Sequence, residues 1–213
     1  MTTTRTTTAL PDPTTTALPD LTTTAPLDPM ALADLFPDGV ATASELLALG
    51  VSGEEVAARC RAPARWQRLL PGVLLLAETR ATRVQLVRAA LRYAGEGAVV
   101  TGLDALRLHG MRALPAAGPV RVLVDRRVEQ TSRVRFTRTR CPPPPVLRRG
   151  LPTAPLARAA ADAVRGLDQP WQVRAVLAEV VHRGGVRVAD LRLLLSRGPE
   201  PVRQVLAQLA GGA

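Results

Sequence analysis

The sequence predicts an α+β fold on three observations. Residues 42–73 run through two short helix patterns joined at a glycine, then two extended segments around a Pro-Gly turn. Residues 98–101, 120–125 and 133–139 carry short strand-like apolar runs. Residues 156–209 carry apolar stripes at helical spacing. The expected organisation is a disordered Thr/Pro tail over residues 1–29, a helix-and-hairpin unit over residues 30–77 and a helix-rich α+β domain with a small antiparallel sheet over residues 78–213.

The tail is a tandem repeat of period eight, TTTALPDP, TTTALPDL and TTTAPLDP, and such a Thr/Pro density buries too little surface to offset the entropy of ordering. Met30 follows it directly and is a candidate start codon. Residues 32–36 then predict a first short helix. Thr42 or Ser44 caps a second helix, with Leu46, Leu47 and Leu49 expected inside and Gly50 supplying the turn. Ser52 and Glu55 form an S-x-x-E capping box opening a third helix. Its apolar side is Val56, Ala57 and Cys60, Arg59 and Arg61 are expected outside, and Pro63 ends it. Residues 64–70 and 73–76 flank Pro71-Gly72, the favoured pair of a type II turn, and make a hairpin. Helix, helix, helix, hairpin is the outline of a winged helix-turn-helix, with Trp66 a core anchor under the wing.

In the second domain residues 83–94 predict an amphipathic helix, with Val84, Val87 and Leu91 on its apolar side and Arg88 and Arg92 outside, stopped at Gly95 and Gly97. A strand over 98–101, a helix over 103–109 and an antiparallel strand pair across residues 126–132 follow. Pro142 to Pro145 form a rigid spacer. The last helices are marked by three stripes: Leu156, Ala159, Ala160, Ala163 and Val164; Val173, Val176, Leu177, Val180 and Val181; and Val202, Val205, Leu206 and Leu209. Leu191, Leu194 and Leu195 lie between the second and third.

A net charge of +10 points to a polyanionic partner. The chain has no Lys, Ile or Asn, and all 28 cationic residues are Arg, so a GC-rich gene raises the arginine baseline. The distribution is more telling: residues 57–92 hold eight Arg against Glu78 alone. Arg59, Arg61, Arg65 and Arg68, clustered beside the wing, are the candidate contacts to double-stranded DNA, because a guanidinium suits both phosphate and guanine. Glu54 and Glu55 suit the helix dipole but oppose phosphate. The strand RVRFTRTR at 133–140 either extends a basic surface, binds an acidic partner or is an exposed sheet face.

Chemistry is poorly represented. A P-loop or a carboxylate–Lys nuclease core requires Lys, His109 and His182 lack ligand-spaced companions, and no Ser-His-acid set can be picked out. No catalytic residue, cofactor or metal is therefore expected. Two unpaired cysteines, Cys60 and Cys141, and no apolar run of membrane length predict a cytoplasmic protein without a membrane span.

With those residues in view, the chain resembles the actinobacterial AbiEi-like antitoxin domain proteins of type IV toxin–antitoxin systems. The family's W-x-R-L-x-P-G-V stands here as Trp66-Gln67-Arg68-Leu69-Leu70-Pro71-Gly72-Val73. Its Y-A-G is Tyr93-Ala94-Gly95, its A-L-x-L-H-G-[LM]-R runs from Ala105 to Arg112, and its G-L-P-x-[TA]-x-P is matched by GLPTAP at 150–155. The resemblance implies a DNA-binding antitoxin that represses its own operon and counteracts a nucleotidyltransferase-like toxin. Leu74 replaces an aromatic common in relatives, and Thr101-Gly102 a frequent Ser-His. Many relatives continue into a very-short-patch-repair-like nuclease domain where this sequence stops, so no nuclease activity is carried over. The competing expectation is a protein–protein module using the winged helix as a scaffold without DNA, contacting its partner through the acidic start of the third helix.

Overall fold

The computed structural model describes residues 29–61, 63 and 65–211; the predicted tail lies almost wholly outside them. The described chain begins with α1 (Pro29–Asp34), a 3-10 turn, β1 (Val40–Thr42), α2 (Ala43–Ala48), α3 (Gly53–Arg59), β2 (Gln67–Leu70) and β3 (Val73–Leu75). The three strands form an antiparallel sheet in the order β1-β3-β2, the topology of a winged helix. β1 was not foreseen, because three residues are too few to show alternation.

The apolar run Val73 to Leu76 is explained by its central position. Leu74 and Leu76 face the helices with Leu32, Leu46, Val56 and Trp66. Val73 and Leu75 face the other way, onto α4 (Arg83–Ala94). A strand buried on both faces has no polar side to alternate.

α4 is shared between the two parts of the chain. One side packs on Val40, Leu70, Val73 and Leu75, the other on Val100, Val120, Val122 and Val134. The hydrophobic core thus runs without a break past Ala77. Arg88 and Arg92, expected in solvent, lie largely buried at this seam; Arg88 pairs with Asp38 at 2.7 Å and Arg92 pairs with Glu45. Gln85 adds a bond to the Asp38 carbonyl at 2.9 Å. Gly95 ends the helix at φ +82°, where a side chain is disfavoured.

The second sheet is built from β4 (Val99–Thr101), β5 (Val120–Val124), β6 (Val134–Arg138), β7 (Val146–Arg148) and β8 (Leu151–Thr153), in the order β6-β5-β4-β8-β7. It is mixed rather than antiparallel. β5 and β6 were expected as an antiparallel pair and are parallel, Val120 opposite Val134 and Val124 opposite Arg138. The intervening loop first returns along the outer edge of β6. Gln130 donates its amide to the Phe136 carbonyl at 2.8 Å and accepts the Phe136 N–H at 3.0 Å, and Thr131 receives the Val134 N–H at 3.0 Å. The turn at 131–134 then feeds β6 in beside β5, and the side-chain amide satisfies an edge that would otherwise be open.

Behind this sheet lie α5 (Gly102–Leu108), α6 (Leu156–Val164), α7 (Pro170–His182), α8 (Val188–Leu194) and α9 (Glu200–Gly211), gathered around Leu106, Leu123, Ala160, Leu177 and Leu191. Polar bridges tie the layers. Asp162 accepts from Thr101 at 2.8 Å and from Arg158 at 2.9 Å, and Arg83 grips Asp104 through two bonds of 2.7 Å. Glu179 accepts the main-chain N–H groups of Arg112 and Ala113. The architecture is α+β, layered as helices, sheet, α4, sheet and helices.

Candidate nucleic-acid interface

Local chemistry fixes the helix-turn-helix. Thr42 caps α2 through a complete capping box, its hydroxyl receiving the Glu45 N–H at 3.2 Å while the Glu45 carboxylate receives the Thr42 N–H at 2.7 Å. Burial raises the Glu45 pKa, but the Thr42 and Arg92 bonds outweigh it and hold the carboxyl below its usual value. Gly50 turns the chain at φ +85°. Leu46 is fully buried, whereas Leu47 is 53% exposed and Leu49 37%, so both point away from the core they were expected to join. A helix of under two turns has room for one inward leucine.

Ser52 caps α3, receiving the Glu55 N–H at 3.1 Å. Glu55 does not return the bond; its carboxylate pairs with Arg59. Arg59 is drawn inward, its side chain 15% exposed and its guanidinium 4.6 Å from the centre of the Trp66 ring. Its carbonyl accepts the N–H groups of Arg65 and Trp66, both at 3.0 Å, closing the loop from α3 to the wing. Trp66 is buried, as an anchor under the hairpin should be.

The other three candidate arginines, Arg61, Arg65 and Arg68, are exposed. They follow one another from the end of α3 through the loop into β2. The wing is tight: Pro71 and Gly72 form the turn, Gly72 at φ +67° as a type II turn requires, and the Gly72 carbonyl accepts the Ala43 N–H at 2.8 Å. Between α3 and the wing lies a groove of about 440 Å³ edged by Val56, Arg68 and Pro71. Glu54 stands exposed at the first turn of α3, so the cationic part of the surface is the C-terminal end of that helix and the wing.

Two further arginines reach the same side, Arg80 after the wing and Arg133 at the start of β6. The sequence hinted at Arg133 through the RVRFTRTR run and at Arg80 only as one of the eight arginines of residues 57–92.

The remaining titratable residues sit in structural roles. His109 ends α5, its Nε2 2.8 Å from the Ala154 carbonyl and its Nδ1 receiving Arg148 at 3.2 Å. Burial, with the Arg148 charge, holds its pKa below the usual value against the opposing Ala154 bond. Among the described residues no three His, Cys, Asp or Glu are placed to hold a metal, and no helix is long and apolar enough to cross a membrane. Cys60 and Cys141 are free thiols.

Architecture and exposed basic face together define the class: a winged helix-turn-helix fused through a shared helix to a mixed α+β unit. No protein-family model matches the sequence, and no curated protein matches it. Among solved structures, the chain is similar to the crystal structure of the RV2827C protein from Mycobacterium tuberculosis. The TM-score is 0.56 over 85% of this chain and 74% of that one, at 18% identity. That likeness is one of fold.

Proposed function

We propose that the protein binds double-stranded DNA through its winged helix and regulates transcription from the cytoplasm. The observation that carries the reading is a winged-helix topology whose open side presents Arg61, Arg65 and Arg68 in succession, none of them engaged in an ion pair among the described residues. α3 would enter the major groove with its C-terminal half leading, because Glu54 at its start repels phosphate. The wing arginines would hold the flanking backbone.

The family resemblance supports a narrower role, an antitoxin-type repressor of its own operon. The second unit would then counteract a nucleotidyltransferase-like toxin. Its less exposed carboxylates Asp104, Asp162 and Glu179 are held by arginine or main-chain partners, which fits binding rather than catalysis.

Fluorescence anisotropy with DNA from upstream of the gene tests the reading. Six phosphate contacts would weaken binding on the order of a thousandfold between 50 and 200 mM salt. Arg61→Ala and Arg65→Ala should each flatten that dependence. Absence of binding, or an affinity indifferent to salt, would remove the proposal. Co-purification of a neighbouring gene product by a protein that ignores DNA would favour a protein–protein module instead.

A further inference from the structure

We infer that the DNA track does not end at the wing: Arg133 and Arg80, from outside the winged helix, grip the phosphate backbone of the same duplex. The inference rests on the DNA-binding reading above.

Three clefts share walls. The groove between α3 and the wing has Arg68 and Pro71 in common with a second cleft of about 370 Å³, whose far side is the loop 129–133. That cleft shares Ser132 and Arg133 with a third, of about 500 Å³, bounded by Gln67, Arg80 and the start of α4. The second and third clefts make one furrow along the flank of the wing to the entry of β6, and the first lies across β2 from it, on the helix side that Val56 and Leu74 face.

Three exposed cations line the furrow: Arg68 on the β2 wall shared with the first cleft, Arg133 where the second cleft meets the third, and Arg80 in the third. No acidic side chain lies within ion-pair distance of any of them among the described residues. Arg83, at the back of the third cleft, is different, since Asp104 and the Gly118 carbonyl hold it, both at 2.7 Å. It shapes the wall. Glu129 opposes anion binding in the second cleft but is outnumbered by Arg68 and Arg133.

The occupant this furrow fits is a polyanion. The large apolar side chains exposed on the molecule, such as Leu35, Leu47, Leu147, Trp171 and Leu193, all lie elsewhere, so the furrow lacks the apolar anchors of a protein interface. Its geometry is also preset. The loop 129–132 is bonded along β6, and α4 packs on both sheets, so Arg133 is held at a fixed place relative to Arg68. Cations on a rigid frame suit the regular phosphates of a duplex, and such contacts position the protein without reading sequence.

The test compares wild type, Arg61→Ala, Arg133→Ala and the double variant Arg80→Ala/Arg133→Ala. Each is titrated against a long upstream duplex and against the same duplex trimmed to the winged-helix footprint, at 50 and 200 mM salt. Each lost phosphate contact lowers the salt slope by about 0.9, so between those salts the double variant should lose about 12-fold less affinity than wild type on the long duplex. On the trimmed duplex its slope should equal that of wild type. Thermal midpoints matching wild type confirm that the variants are folded. If Arg61→Ala weakens binding while the double variant keeps the wild-type slope on the long duplex, this inference fails and the DNA-binding reading stands. If wild type binds neither duplex, both fall. Saturable binding of inorganic phosphate that needs Arg133, with DNA affinity unchanged in the double variant, would assign the furrow to a free anion and overturn the inference as well.

Discussion

Replacing Arg59 by alanine should damage the fold more than it damages any direct contact to DNA. Its guanidinium lies over a Trp66 ring that is 2% exposed, a cation–π contact worth about 1–2 kcal/mol when both groups are largely desolvated. The Glu55 pair at i, i+4 adds about 0.3–0.5 kcal/mol. The aliphatic stem also covers apolar surface, against which alanine returns about 0.2 kcal/mol of helix propensity. The expected loss is about 1.5–2.5 kcal/mol, and for a protein of this size that lowers the melting temperature by about 3–10 °C. Arg61→Ala, at an exposed position two residues on, should stay within about 0.5 kcal/mol of wild type. Thermal unfolding of the two variants side by side, followed by DNA titration well below both midpoints, separates the roles. The reasoning is refuted if Arg59→Ala melts with wild type yet loses DNA as completely as Arg61→Ala.

Other perturbations follow from the same geometry. Asp104→Ala removes the acceptor of two 2.7 Å bonds from Arg83 at a nearly buried site, and urea unfolding should show a loss of about 1.5–3 kcal/mol; an unchanged midpoint would mean that α4 and α5 do not depend on this bridge. Acid should destabilise the protein in two stages. His109 is held below its usual 6.5, so the unfolded chain takes up the proton first, and stability complete above that pH declines as the pH falls beneath it. Glu45 and Glu179, both held below 4.5, add a second decline beneath that value. Thermal midpoints measured across pH 7 to 3 should show His109→Gln flattening the first stage and Glu45→Gln the second; a variant that leaves its stage intact contradicts the assigned cause.

Local chemistry made much of this protein legible in its sequence. Thr42, Ser52, Gly50, Gly95 and the Pro71-Gly72 turn act on their immediate neighbours, so the helix-turn-helix, the wing and the start and stop of α4 could be placed from the residues alone. The stripes of α6, α7 and α9 were readable for the same reason, since one helix face meets one core. Of the candidate site, the arginine cluster and the anchoring role of Trp66 were visible.

Only the tertiary structure decided the rest, and in each case the deciding partner lies far along the chain. Strand alternation is the same whichever way a neighbour runs, so the parallel pairing of β6 with β5, with Gln130 bonded along its edge, could not be read from it. β1, β7 and β8 span three residues each and have meaning only beside β3, β4 and one another. Arg59 and Arg61 share a chemical type, yet a buried indole claims the first and leaves the second to solvent. Arg88 and Arg92 look like the polar face of a surface helix until Asp38 in the 3-10 turn and Glu45 in α2 pair with them. Sequence periodicity records that a face is polar or apolar; what it meets is fixed by packing.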